Sequence, residues 1–245
     1  MRARAERNLI LKFMIVCSLL GSLIILLMVT YPPATTRDYF WRKPFVGSVL
    51  FLICAVGSLV AVSPTSCSAA HKMQMIETPK DSDVQTDSPV FSEGHHPNCG
   101  RFSSHTIMFK GTSYCAACTG LLIGGIMAMS LTVLYFFSGL SAELIGFPAL
   151  LTGQLGLVLG LVQFKFKGWT RMSANVLFPL GSCLMLIGID QLVRSVFVDV
   201  YLTGLILVWI MTRVMISQWD HYRICLTCGF SCRTGRKASV SASSA

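Results

Sequence analysis

The chain has 245 residues, of which 53% are hydrophobic and 13% charged, and a formal net charge of +9. This balance is too apolar for an ordinary soluble domain and predicts a multi-pass protein of the cell membrane. The basic residues flank apolar segments, where anionic lipids attract them, and form no stripe interleaved with aromatic residues. We therefore expect the lipid bilayer, and not nucleic acid, as the partner.

Six apolar stretches are each long enough to cross a hydrocarbon core of about 30 Å. They cover residues 9–30, 45–63, 114–138, 143–164, 174–193 and 199–217. The first follows a basic start, but its apolar core is long and no clear cleavage site follows it, so we interpret it as a membrane helix. The sequence predicts an all-α integral membrane fold with six transmembrane helices.

The positive charges predict the orientation of these helices. Basic residues favour the cytosolic side of short loops near helix ends. With the N-terminus inside, 16 of the 20 lysines and arginines fall in inner segments. We therefore expect the N-terminus and the C-terminus both to lie in the cytosol.

Four parts follow from this topology. Residues 1–63 form two N-terminal transmembrane helices, and 64–94 form a flexible polar cytosolic segment, because KDSDVQTDSP is too polar to bury a core. Residues 95–220 contain a cytosolic Cys/His-rich loop and a four-helix membrane region. Residues 221–245 form a Cys-rich cytosolic tail.

Small residues predict how two of the helices pack. Gly120 and Gly124 in the third span, and Gly156 and Gly160 in the fourth, have the small-x3-small spacing that lets helices approach closely. Because a short connection joins these two spans, we expect them to pack together as an antiparallel hairpin.

Nine of the ten cysteines divide by position, and Cys67 is left unassigned. Cys17, Cys54 and Cys183 fall within apolar spans and are interpreted as small buried residues. Six others form two groups on the predicted cytosolic side, namely Cys99, Cys115 and Cys118, and Cys225, Cys228 and Cys232. Thiols are kept reduced in the cytosol, so metal ligation or redox chemistry is favoured over disulfides.

The first group suits a zinc ion. Two thiolates at C-x2-C spacing can bind one tetrahedral ion. His95, His96 or His105 can supply a further ligand, and the favoured set is His96, Cys99, Cys115 and Cys118. Structural zinc contributes on the order of 10 kcal/mol to folding, so it can order a segment that has no hydrophobic core. The alternative is that these histidines are solvated loop residues.

The second group leaves several arrangements open. His221, Cys225, Cys228 and Cys232 can bind a second zinc. A rival arrangement joins Cys115, Cys118, Cys225 and Cys228 in one all-thiolate centre for zinc or iron. Palmitoylation of cysteines beside the membrane is a third interpretation.

The motifs HH-x2-C-x-RF, G-x3-CAACTGLLIG and GIDQL-x-R, over roughly residues 95–215, resemble a family of membrane proteins classed as domain of unknown function 2085. The resemblance implies a polytopic membrane protein with a Cys/His cluster and no established activity. Ala117 stands where that family usually has arginine, and Gln191 where it usually has glycine.

Asp190 lies deep in the fifth span, where an unpaired aspartate costs about 2.5–3.5 kcal/mol. A pair with Arg194, one turn later, would lower that cost. The functional alternative makes Asp190 a ligand for a proton or cation. Arg213 in the sixth span is expected to extend to the cytosolic headgroups.

Three functions remain open at this point. The preferred one is a noncatalytic membrane subunit whose zinc-stabilised cytosolic surface docks a protein partner. The second is a redox enzyme or electron carrier that uses the paired cysteines, and the third is a transporter that uses Asp190. Whether the protein is an enzyme is not decided by the sequence.

Overall fold

The computed structural model describes residues 2–32, 39–62, 104–139 and 145–227. Its helices are α1 (Arg2–Thr30), α2 (Arg42–Val62), α3 (Ala116–Thr132), α4 (Gly146–Leu161), α5 (Gly168–Leu192) and α6 (Val196–Thr227). A π-helical segment, Val133–Phe137, continues α3, and a 3-10 turn, Gln163–Lys165, follows α4.

The expectation of a helical multi-pass membrane protein is confirmed, with one difference. Within the described residues, five helices are long and apolar enough to cross a membrane. The stretch predicted as a fourth span, 143–164, forms only the 16-residue helix α4. At about 1.5 Å per residue α4 is about 24 Å long, shorter than a typical hydrocarbon core.

A short β-hairpin leads into α3 and was not expected from the sequence. Strand β1 (Thr106–Phe109) pairs antiparallel with β2 (Thr112–Cys115). Lys110 and Gly111 form the turn, both with positive φ, as two-residue hairpin turns favour. Because β1 contacts α5, the hairpin fixes the chain against the bundle just before Cys115.

Helix α5 is the common neighbour of α3 and α4. A Cβ atom at Gly153 of α4 would lie 2.7 Å from the carbonyl oxygen of Gly181 in α5, so these backbones touch. Gly120 of α3 makes an equally close approach to the backbone at Met172 of α5. The glycines therefore bring helices together as predicted, but the pairing of the third span with the fourth is wrong. Both spans pack on α5, which offers a small residue of its own, Gly181, to α4.

Helix α1 packs at the edge of the bundle, against α6. The Ser18 and Thr212 hydroxyls lie 2.9 Å apart, and the Trp209 indole donates to the Ser18 carbonyl at 3.5 Å. Much of the rest of α1 is exposed leucine, isoleucine and phenylalanine, including Leu19 and Leu23. Such a surface suits contact with lipid.

The six helices alternate in direction, so the bundle has two ends. We call the end where α1 begins and α6 ends the inner end, and the opposite end the outer end, after the predicted orientation. Aromatic pairs occur at both: Tyr39 stacks on Trp41 at the outer end, and Phe164 meets Trp219 at the inner end. Tyrosine and tryptophan are enriched at membrane surfaces, and these pairs suit that depth.

Candidate functional site

Charged and polar side chains, most of them buried, gather at the outer end in a group that we call the outer cluster: Arg42, Lys43, Tyr135, Asp190 and Asp199. Arg42 Nη1 lies 2.6 Å from Asp190 Oδ1 and 2.6 Å from Asp199 Oδ2. All three side chains are 1–2% exposed. One arginine thus neutralises two carboxylates and links α2, α5 and α6. Burial without such pairing would be very unfavourable.

Tyr135 extends the outer cluster to the end of α3. Its hydroxyl donates to Asp190 Oδ2 at 2.6 Å and accepts a hydrogen bond from Gln191 Nε2 at 2.6 Å. Tyr135 belongs to the π-helical segment, which shifts the register of the side chains that follow it. Lys43 Nζ lies 3.4 Å from Asp190 Oδ2 and 5.1 Å from the centre of the Tyr135 ring.

The predicted pair between Asp190 and Arg194 is replaced by these contacts. Helix α5 ends at Leu192, and Arg194 lies beyond it, exposed, with φ of 48°. The i, i+4 geometry therefore no longer applies. Among the described residues, the ion pairs of Asp190 are with Arg42 and Lys43. This arrangement favours the structural interpretation of Asp190 over the transporter.

The inner end holds a looser group of polar side chains, which we call the inner network: His105, Arg171 and Asp220. Arg171 Nη1 lies 3.0 Å from His105 Nε2 and 3.6 Å from Asp220 Oδ2. His105 Nε2 is 3.7 Å from the same carboxylate oxygen. The network joins the segment before β1 to α5 and α6.

Arg213 adds to the inner end from within the bundle. It is buried, its guanidinium lies 5.3 Å from the centre of the Phe178 ring, and Nη2 donates to Asn175 Oδ1. Asn175 in turn donates to the Arg171 carbonyl at 2.6 Å. The expectation that Arg213 extends to the headgroups is wrong, because a buried amide on α5 provides its polar partner.

Cys115 and Cys118 lie at the start of α3, at the inner end. Cys115 is the N-cap residue, without a side-chain capping hydrogen bond, and Cys118 follows in the first turn. Cys115 is also within electrostatic range of Arg171. A helix N-terminus and a nearby guanidinium both stabilise negative charge, so this position suits a thiolate.

His221 lies in the last turns of α6. Its Nδ1 lies 2.8 Å from the carbonyl oxygen of Ser217, and a carbonyl only accepts, so Nδ1 is the donor. In the neutral ring the lone pair is then on Nε2, the arrangement common in histidines that bind metals. The ring meets that of His105 edge to face at 5.4 Å.

The other predicted ligands are only partly covered. His96, Cys99, Cys228 and Cys232 lie outside the described residues, as does the segment 64–94. Cys225 lies in the last turn of α6, but its side chain is not described. Among the side chains that are described, no three histidine, cysteine or acidic groups are close enough to share a metal ion.

Sequence reasoning missed most of the charged partners. Arg42, Asp199, Arg171 and Asp220 were not singled out, although each lies near the end of an apolar stretch. Charges of opposite sign at the same predicted end of different spans are the signal that points to such pairs.

Comparisons with known proteins add no identification. The chain matches no family model, curated protein or solved structure. The resemblance of residues 95–215 to the family named above therefore stays a prediction.

Proposed function

We propose that this membrane protein holds a structural zinc ion at its inner end and serves as a membrane subunit that docks a cytosolic protein. Of the arrangements that the sequence left open, we now prefer the all-thiolate centre of Cys115, Cys118, Cys225 and Cys228 to the set of His96, Cys99, Cys115 and Cys118. A zinc ion with four protein ligands has no open position for substrate, which suits a structural role.

One observation carries the proposal: the start of α3 and the end of α6 both lie near Arg171 at the inner end. Cys115 is within electrostatic range of Arg171, and Arg171 Nη1 is 3.6 Å from Asp220 Oδ2. Asp220 is five residues before Cys225 on α6. This proximity supports a centre shared by both C-x2-C pairs. Four thiolates around one Zn²⁺ carry a net negative charge, which Arg171 and the N-terminus of α3 would stabilise.

Metal analysis of the purified full-length protein tests the proposal. We expect about one zinc per chain, loss of zinc in Cys115→Ser/Cys118→Ser, and retention in the matched control Cys17→Ser/Cys54→Ser. Cys99→Ser separates the arrangements, since it leaves a shared centre intact but removes a ligand from a site built on His96 and Cys99. About two zinc ions per chain would instead favour separate sites, and a protein without metal would contradict the proposal.

The position of Cys115 also favours a second candidate, a thiol redox protein. Cys115 and Cys118 at a helix N-terminus have the arrangement of reactive C-x-x-C pairs. In this function the two thiols would give two electrons and two protons to a membrane quinone, forming a disulfide and a quinol. Metal-free protein whose two thiols become a disulfide when a quinone is added would support it, whereas visible bands that bleach on reduction would indicate iron.

A further inference from the structure

A cleft of about 250 Å³ opens at the inner end, beside the inner network. It lies where the turn after α4, the start of α5 and the end of α6 come together. Its walls include His105, Lys165, Lys167, Arg171, Asp220 and Arg223.

The cleft is strongly cationic. Lys165, Lys167, Arg171 and Arg223 face a single carboxylate, Asp220. Both lysines are exposed, and in the described part of the chain neither has an ion-pair partner. Asp220 is already engaged, 3.6 Å from Arg171 and 4.0 Å from Arg223. An excess of positive charge is therefore left for an anion.

The wall also contains fixed donors. Arg171 is 2% exposed, and its buried Nε has no hydrogen-bond partner. The cleft borders the N-terminus of the 25-residue helix α5, where Lys167 is the N-cap. No side chain caps this helix, and its first turn has no acidic residue. The first N–H groups of a helix, together with its dipole, favour anions, and phosphate in particular.

Neighbouring aromatic side chains put the cleft at the depth of lipid headgroups. Trp219 lies 6.2 Å from Phe164 and 5.1 Å from the Arg223 guanidinium. Trp169, at the start of α5, is 53% exposed. Tryptophan favours the membrane interface, where basic side chains meet phosphate groups.

We propose that this cleft binds a phosphate group, carried either by an anionic lipid or by a small phosphate in solution. The two lysines and Arg223 would contact the phosphate from the open side, while Arg171 and the start of α5 form the fixed wall. The proposal does not depend on the zinc centre.

Two measurements on the full-length protein test it and separate the sources. Native mass spectrometry with equal amounts of phosphatidic acid and phosphatidylcholine of the same acyl chains reports lipid binding. Thermal unfolding in phosphatidylcholine nanodiscs, with inorganic phosphate against chloride at equal ionic strength, reports a soluble ligand.

The cleft variant is Lys165→Gln/Lys167→Gln/Arg223→Gln. The control, Lys12→Gln/Lys110→Gln, removes two predicted cytosolic charges that do not line the cleft, and it is matched in charge to the double variant Lys165→Gln/Lys167→Gln.

We expect the cleft variant to retain phosphatidic acid at least about tenfold less than the native protein, and the control to match the native protein. If phosphate instead raises the unfolding temperature of the native protein and of the control, but not of the cleft variant, the ligand is soluble. Arg223 also contacts Asp220 and Trp219, so its loss could disturb the fold. The double variant Lys165→Gln/Lys167→Gln keeps those contacts and should also bind less phosphate or phosphatidic acid than the native protein. No binding in either assay, or equal loss in the cleft variant and the control, would overturn the proposal.

Discussion

The two ends of the bundle contain similar residues in opposite arrangements. At the outer end, Arg42 lies 2.6 Å from each of two carboxylates, and all three side chains are nearly inaccessible. At the inner end, Arg171 is 3.6 Å from one carboxylate beside an open cleft lined by further cations. The carboxylates of the outer cluster are buried and matched by cations, whereas the inner end retains positive charge that solvent can reach.

This difference separates charge that holds helices together from charge that is available for binding. Matched, buried charges leave nothing for a ligand, but breaking them is costly because the remaining partner stays buried. Unmatched charges at an open surface add little to stability, yet they attract anions.

The largest expected effect is at Arg42. In Arg42→Met, Asp190 and Asp199 lose the cation between them, so the free energy of unfolding in detergent should fall by about 3–5 kcal/mol. Arg194→Gln is the control, because it removes an exposed arginine at the same end and should leave stability nearly unchanged. Adding Asp190→Asn and Asp199→Asn to Arg42→Met should restore much of the loss. Equal effects of Arg42→Met and Arg194→Gln on stability would contradict the claim that the buried, paired charges of the outer cluster hold the helices together.

A smaller loss is expected at Tyr135. Tyr135→Phe removes a hydrogen bond of 2.6 Å to a charged acceptor, Asp190, and should cost about 1.5–3 kcal/mol in the same unfolding assay. Tyr201→Phe is the matched control, since its hydroxyl reaches the Gly21 carbonyl only at 3.4 Å. If the two variants are equally stable, the hydrogen bond from Tyr135 to Asp190 does not contribute measurably to the stability of the outer cluster.

Asp220 should behave differently from the outer aspartates. Asp220 is 3% exposed, but its cation contacts are 3.6–4.0 Å long and Arg171 keeps His105 as a neighbour. Asp220→Asn should therefore cost less than Arg42→Met, about 1–2 kcal/mol of stability. Because the cleft loses its carboxylate, phosphate should bind several-fold more tightly to this variant, as measured by titration of the unfolding temperature. A loss of stability as large as that of Arg42→Met would show that the two ends are built alike.

The smallest effect is expected at Lys43, the exposed member of the outer cluster. Lys43 is 44% exposed and lies 3.4 Å from Asp190, so Lys43→Gln should change the free energy of unfolding by less than about 1 kcal/mol. The comparison with Arg42→Met isolates the effect of burial within one cluster. Similar losses in both variants would argue that burial is not what makes Arg42 important.

Hydropathy was enough to locate all six apolar helices, because each contains a long and mostly apolar run. Hydropathy did not give the packing partner of each helix. A glycine pair predicts a close approach between helices without specifying which helix is approached, and both predicted pairs pack on α5. The cost of burying Asp190 was visible in the sequence, but its cation was not. Arg194 is nearest in sequence, yet α5 ends before it, and Arg42 lies 148 positions away.

The candidate site was predicted in part. Spacing and topology pointed to Cys115 and Cys118, and these residues do lie at the start of a helix at the inner end. The role of Arg171 was not visible, because its contacts to His105 and Asp220 join segments that are far apart in sequence. His96, Cys99, Cys228 and Cys232 remain predictions.

X-ray absorption at the zinc edge of the purified protein tests the central claim most directly. We expect a four-coordinate ion with a sulfur shell at about 2.3 Å, and loss of that shell in Cys115→Ser/Cys118→Ser. Absence of zinc, or a shell made only of oxygen and nitrogen, would contradict a thiolate centre at the inner end.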